Sequence, residues 1–220
     1  MTATHVLFRR GLELYDRIAT LTSFADNSSP VTIDADCAVL RDSDDLKKHD
    51  RADVAVLKIA HMREQNRLAL LTGVTMETSP TPGGRILGLP IAAFRRFDNV
   101  NISNRAILFS YPGTSLGRNN QIDHRRPLLR QGMIAGKTED GRIVLDCPSY
   151  FGSSGGLVVE IVEVAGGFQT PGIGVLSEQV PFVEELWSKQ YNVQTGFRFE
   201  NSGYSIAEPI DRVEELLNLF

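Results

Sequence analysis

Short aliphatic runs closed by glycine, proline, asparagine or aspartate recur along most of this 220-residue chain. "VTIDADCAVL" and "RADVAVLKIA" alternate apolar with polar side chains. "RILGLPI", "RAILFSYPG", "LLRQGMIAGKTEDGRIVLD", "GGLVVEIVEV" and "TPGIGVLSEQ" follow at short intervals. A period of two puts alternate side chains on one face of a strand, so such runs bury that face only by pairing and stacking with one another. The Asp140-Gly141 dipeptide in "KTEDGR" is a tight hairpin signal. The pattern predicts an all-β fold, barrel or sandwich. The most linker-like stretch is "METSPTPGGR", residues 76–85, which predicts two successive β units over 1–78 and 79–220. Two stretches follow a helical period instead. In "HVLFRRGLELYDRIATL" the apolar residues Phe8, Leu12, Tyr15 and Ile18 are three to four apart. At the other end Val213, Leu216, Leu217 and Phe220 keep the same spacing behind Pro209, which predicts a C-terminal α-helix.

Composition narrows the function classes. With 42% apolar and 23% charged residues the chain resembles an ordinary soluble domain, and a net charge of −4 argues against nucleic acid as a partner. No apolar run approaches the ~18 residues of a membrane span, so no membrane partner is expected. The opening "MTATHVLFRRG" turns charged at Arg9 and Arg10, unlike a signal peptide. Cys37 and Cys147 could form one disulfide, but two reduced thiols in a cytoplasmic protein are the expectation.

One stretch calls for a chemical explanation. "SYFGSSGGLVV", residues 149–159, carries Gly152, Gly155 and Gly156 within five positions and then enters an aliphatic run. A turn needs one or two glycines, so three predict a close approach to this backbone. Ser154 within it is a candidate nucleophile, and serine needs an adjacent base. Of the four histidines, His49, His61 and His124 stand in charged loops or at a strand end, where structural or surface roles are expected. His5 follows the small residues "TAT", and Asp53 leads into the apolar "VAVLKI". An aspartate there is costly unless hydrogen-bonded, and a histidine to orient would satisfy it. The order His5, Asp53, Ser154 is one of the chain orders in which Ser-His-Asp triads occur.

Together "TATH", "DVAVLKI" and "GSSGG" resemble the histidine, aspartate and serine motifs of the trypsin-like (chymotrypsin-fold) serine peptidases. "AILFSYPG" and "SIAEPIDRVEELL" resemble the intracellular Deg/HtrA-type branch, and the resemblance covers nearly the whole chain. It implies two antiparallel six-stranded β-barrels and a serine endopeptidase that cuts polypeptides through an acyl-enzyme, with no cofactor and no metal. Ser154 would attack, His5 would move the proton, Asp53 would hold the imidazole, and the amides of Gly152 and Ser154 would receive the oxyanion. Ser153 replaces the aspartate that receives a freed N-terminus in many secreted relatives. The specificity pocket would be built by Pro148, Ser177 and Glu178, with Ser177 also touching Asp53. Pro148 is no acid, so the expected preference is a small or apolar side chain. Relatives carry several strands ahead of the catalytic histidine where this sequence has four residues. The first barrel is therefore expected to be incomplete at the N-terminus, and a form extended upstream to be more active and more stable. Two other functions compete: an inactive peptide-binding protein on the same fold, and an unrelated β-barrel binding module that would leave the three residues far apart.

Overall fold

The computed structural model describes residues 1–9, 13–23, 31–63, 67–77, 88–111 and 127–220. Strand makes up 53% of the chain and helix 13%, so the fold is all-β as expected.

The second half is one sheet that returns on itself. Its strands are β8 (Arg105–Ser110), β9 (Leu128–Lys137), β10 (Ile143–Asp146), β11 (Leu157–Glu160), β14 (Gly172–Ser188) and β15 (Val193–Pro209). β8 pairs with β9 and β11, β9 with β10, β10 with β15, β15 with β14, and β14 with β11, all antiparallel. The period of two is visible in burial. Ala106, Leu108 and Ser110 of β8 are buried, as are Ile143 and Leu145 of β10, and the apolar ones meet Ile134, Val158, Ile173 and Leu176 in one core. The β9–β10 hairpin turns at Asp140-Gly141 as predicted, with Gly141 at φ +82°. A short ladder of β12 (Val162–Val164) and β13 (Gly167–Gln169) stands outside this ring.

The first half is arranged differently from the second. Its described strands form separate ladders, not a closed ring. They are β1 (Ile18–Ser23) with β2 (Val31–Asp36) and β7 (Val74–Glu77), β3 (Leu46–Lys48) with β4 (Ala55–Leu57), and β5 (Ala60–Arg63) with β6 (Arg67–Leu70). Val31, Ile33 and Ala35 of β2 turn inward and share a core with Phe8, Leu40, Leu46 and Val74.

Three local expectations fail. The helix expected from Phe8 to Ile18 shrinks to one turn, α1 (Thr4–Leu7). Beyond it the chain doubles back, with Phe8 bridging Leu14 and the Tyr15 amide donating to the Leu7 carbonyl at 2.8 Å, and Ile18 opens β1. Burial of Leu7, Phe8 and Leu14 in the first core overrides their helical spacing. The strand expected over "VTIDADCAVL" stops at Asp36, whose carboxylate accepts from the Ala38 and Val39 amides, both at 3.1 Å. That N-cap starts α2 (Cys37–Asp42). In "RILGLPI" the described part holds no strand, because Pro90 caps a short 3-10 turn over Ile91–Ala93. The linker segment from residue 78 to 87 and His124 lie outside the described residues.

The C-terminal helix forms as α3 (Ile210–Leu217) and positions the site. Its Ile210, Val213 and Leu216 are buried against Val54 and Val56 from the first half and Val175 from the second. His49 adds a polar tie. Its Nδ1 accepts from the Arg51 and Ala52 amides at 3.1 and 2.9 Å, so Nε2 carries the hydrogen and donates to Glu215 at 2.7 Å. His49 is thus structural, and His61 is exposed on β5. Cys37 and Cys147 are both buried free thiols. No helix of the described residues is long and apolar enough to cross a membrane.

Candidate active site

Asp53 stands immediately before the buried Val54, so the contact between α3 and the first half fixes its position. Its two carboxylate oxygens hold His5 at two points. The His5 amide donates to Oδ1 at 2.9 Å, and Nδ1 meets Oδ2 at 2.5 Å. Ser177 donates its hydroxyl to the same Oδ2 at 3.2 Å. With Nδ1 bonded to a carboxylate, the lone pair of the neutral imidazole is on Nε2.

The segment ahead of His5 is held from elsewhere in the chain. Thr2 bridges Ala55 of β4, with N–H to O distances of 2.9 and 2.8 Å in the two directions, and Ala3 is fully buried. Thr2 and Ala3 are small and lie against Gly155 of the Ser154 turn, so this segment is anchored by β4 and that turn.

That turn answers what the three glycines are for. Gly152 and Gly155 have φ of +89° and +82°, which side chains disfavour. A Cβ on Gly155 would also run into the Thr2 hydroxyl, and a Cβ on Gly156 would lie 2.6 Å from the Phe109 carbonyl of β8. The close approach predicted from sequence is thus, at these two positions, by the protein's own chain. Gly155 donates to the Leu176 carbonyl at 2.7 Å, and Leu176 donates back to Gly156 at 2.8 Å, which stitches the turn to β14 beside Ser177. Ser153 is buried beneath it and takes the Tyr150 amide on its hydroxyl at 3.3 Å. Gly155→Ala should therefore lower the unfolding free energy by about 1–3 kcal/mol, read by urea denaturation, because the φ is strained and Thr2 must move.

Within the turn the amides divide. Those of Ser153 and Gly155 donate to Tyr150 and Leu176, whereas those of Gly152 and Ser154 have no acceptor among the described residues. Both amides therefore stand beside the Ser154 hydroxyl with no acceptor among the described residues.

His5, Asp53, Gly152, Ser154, Ser177 and Glu178 all line one open cleft of about 1190 Å³. Ser154 donates its hydroxyl to the Ser177 carbonyl at 3.3 Å, and no hydrogen bond joins it to His5 among the described residues. The hydrogen bond to Asp53 raises the His5 pKa above the ordinary imidazole value, against the opposing effect of burial. For Asp53 burial pushes upward, but the hydrogen bonds from His5 and Ser177 outweigh it and leave the carboxyl below the ordinary value.

The pocket expectations fare unevenly. Ser177 and Glu178 line the cleft. Pro148 is exposed and off the lining, while its neighbour Ser149 is on it, because the chain turns Ser149 inward and ties its carbonyl to Asn201 at 2.7 Å. Sequence reasoning missed Arg142 and Glu208. Arg142 reaches across from β10's approach to bond Glu178 at 2.6 Å and Asp140 at 2.8 Å. Glu208 is buried at the cleft, and burial raises its pKa. Nothing local in the sequence brings residue 142 to residue 178. Among the described residues no group of three or more His, Cys, Asp or Glu side chains could hold a metal ion. Compared with known proteins, the chain matches no family model and no curated protein.

Proposed function

We propose that the protein is a serine endopeptidase of the trypsin-like type, acting on polypeptides through an acyl-enzyme. The observation that carries this is the chain of contacts in one cleft: Ser177 and His5 on Asp53, and Ser154 beside Ser177 in a turn where two amides have no acceptor among the described residues. In this reading His5 Nε2 takes the Ser154 proton as Oγ attacks the scissile carbonyl. The Gly152 and Ser154 amides receive the oxyanion, and His5 then protonates the leaving amine. Water repeats the sequence to release the acyl group. The closed ring of the second half supports a two-barrel architecture. The compartment proposed is the cytoplasm, supported by two free buried thiols.

Glu178 is bound by Arg142 and burial raises the Glu208 pKa, which makes both poorer partners for a cationic side chain. This supports a small or apolar preference. Arg142→Ala should free Glu178 and raise the ratio of kcat/KM for a Lys over an Ala substrate by about tenfold. An unchanged ratio would place Glu178 outside the specificity pocket.

A second reading, a peptide-binding protein without activity, is favoured by one observation: the Ser154 hydroxyl bonds the Ser177 carbonyl and not His5. An activated ester separates the two. An acylating enzyme releases a burst of leaving group stoichiometric with active sites, and a binding protein releases none. The third reading, an unrelated binding module, is disfavoured by the meeting of the three residues in one cleft.

A further inference from the structure

The two longest strands continue past the closed sheet. Beyond Gln179 on β14 and before Tyr204 on β15, the strands pair only with each other among the described residues, as far as Ser188 and Val193. An isolated two-stranded ribbon is marginally stable in water. This one nevertheless presents large apolar side chains to solvent.

The register sorts these side chains by face, because directly opposed residues share one. Pro181 opposes Asn201, Val183 opposes Phe199, and Glu185 opposes Phe197; past a register shift Trp187 opposes Gln194, and its indole bond to Glu185 keeps it on the same face. The opposite face carries Phe182 and Leu186 but interrupts them with Glu184 opposite Arg198, and Arg198 pairs with Glu200. The first face holds one charged side chain, Glu185, which accepts the Trp187 indole N–H at 3.2 Å. It also begins at the cleft, where Pro181, Phe199 and Asn201 form part of the lining.

We infer that this face is a docking strip for an extended, apolar segment of the polypeptide whose scissile bond lies at Ser154. The identity of the partner rests on the peptidase reading. Three observations select it. The strip is continuous with the cleft. Its length from Pro181 to Trp187 is about 20 Å at strand rise, the span of one extended segment of about six residues. The apolar area of this face alone falls short of what a second folded copy needs. Phe199, Trp187, Phe197 and Val183 are 69%, 58%, 55% and 46% exposed, which amounts to about 450 Å² of apolar surface. A stable interface between folded proteins takes about 800 Å² from each side. A single extended chain, held by alternate side chains on aromatic rings, needs less.

The test needs no turnover. The Ser154→Ala variant is titrated with a fluorescein-labelled peptide of alternating Leu and Ser residues, and binding is read by anisotropy. Adding Trp187→Ser and Phe197→Ser should weaken binding about tenfold, as expected when two apolar anchors are lost. Adding Phe182→Ser and Leu186→Ser on the opposite face should leave it within about twofold. Equal loss from both pairs, or from neither, overturns the inference. So does a dimer in sedimentation that the Trp187→Ser, Phe197→Ser pair converts to monomer, since the strip would then be covered by a second copy. If the ester burst is absent but the face-selective binding loss is present, the peptidase reading fails and the strip stands.

Discussion

Replacing Asp53 by Asn should reduce the peptidase rate by about 10⁴-fold while leaving the protein folded. Asp53 accepts three hydrogen bonds, from the His5 amide, His5 Nδ1 and the Ser177 hydroxyl. An amide can reproduce the acceptor side of this network but also presents an NH₂ group. Where that group faces Nδ1, the imidazole must turn its lone pair to Nδ1 and its hydrogen to Nε2, the wrong tautomer for taking a proton from Ser154. The pH profile carries a second signature. His5 acts as a base only when neutral, and its pKa is raised by Asp53. The acid limb of kcat/KM should therefore lie above the ordinary imidazole value of about 6.5 in the wild type. In the Asn variant the residual activity should rise at lower pH. Stability follows the same linkage. The His5–Asp53 contribution on the histidine side is fully present below the unfolded imidazole pKa and is lost as pH rises through the raised folded value. On the aspartate side it is present above the unfolded carboxyl pKa of about 3.9 and is lost as pH falls through the depressed folded value. A rate loss below tenfold, with an unmoved acid limb, would remove Asp53 from the mechanism.

Ser154→Ala should cost still more, about 10⁶-fold in kcat, because the nucleophile and its base act as a unit. The loss of its 3.3 Å hydrogen bond to the Ser177 carbonyl should cost about 1 kcal/mol of stability. His5→Ala should fall to nearly the same residual rate, and the double variant should be no worse than either single one. Additive losses would show that the two residues do not share a step.

The alternating runs made the all-β class legible, and the motif residues His5, Asp53 and Ser154 line one cleft. A glycine-rich serine turn is a local signal, and Ser154 with Gly152 could be singled out from five neighbouring residues. Asp53 could be read because an acid leading into an apolar strand needs a partner. Contacts made across the chain left no such mark. Arg142 meets Glu178 only because β10 and β14 are both neighbours of β15. The helix expected after His5 failed because Phe8 and Leu14 find more burial in a doubled-back bridge than on a helix face. The strand reading of "VTIDADCAVL" missed that Asp36 caps a helix. The ribbon over residues 180–203 leaves no mark of its own, since sequence alone does not say which apolar side chains stay in water.

The central claim is that His5 activates Ser154, and the most direct measurement is the site and rate of reaction with a fluorophosphonate. The protein should be phosphonylated once, at Ser154 in the peptide "SYFGSSGGLVV" mapped by mass spectrometry. The rate should rise with pH through the raised His5 pKa and vanish in His5→Ala. No adduct, an adduct at Ser153 or elsewhere, or an adduct at Ser154 formed equally fast without His5 would contradict it.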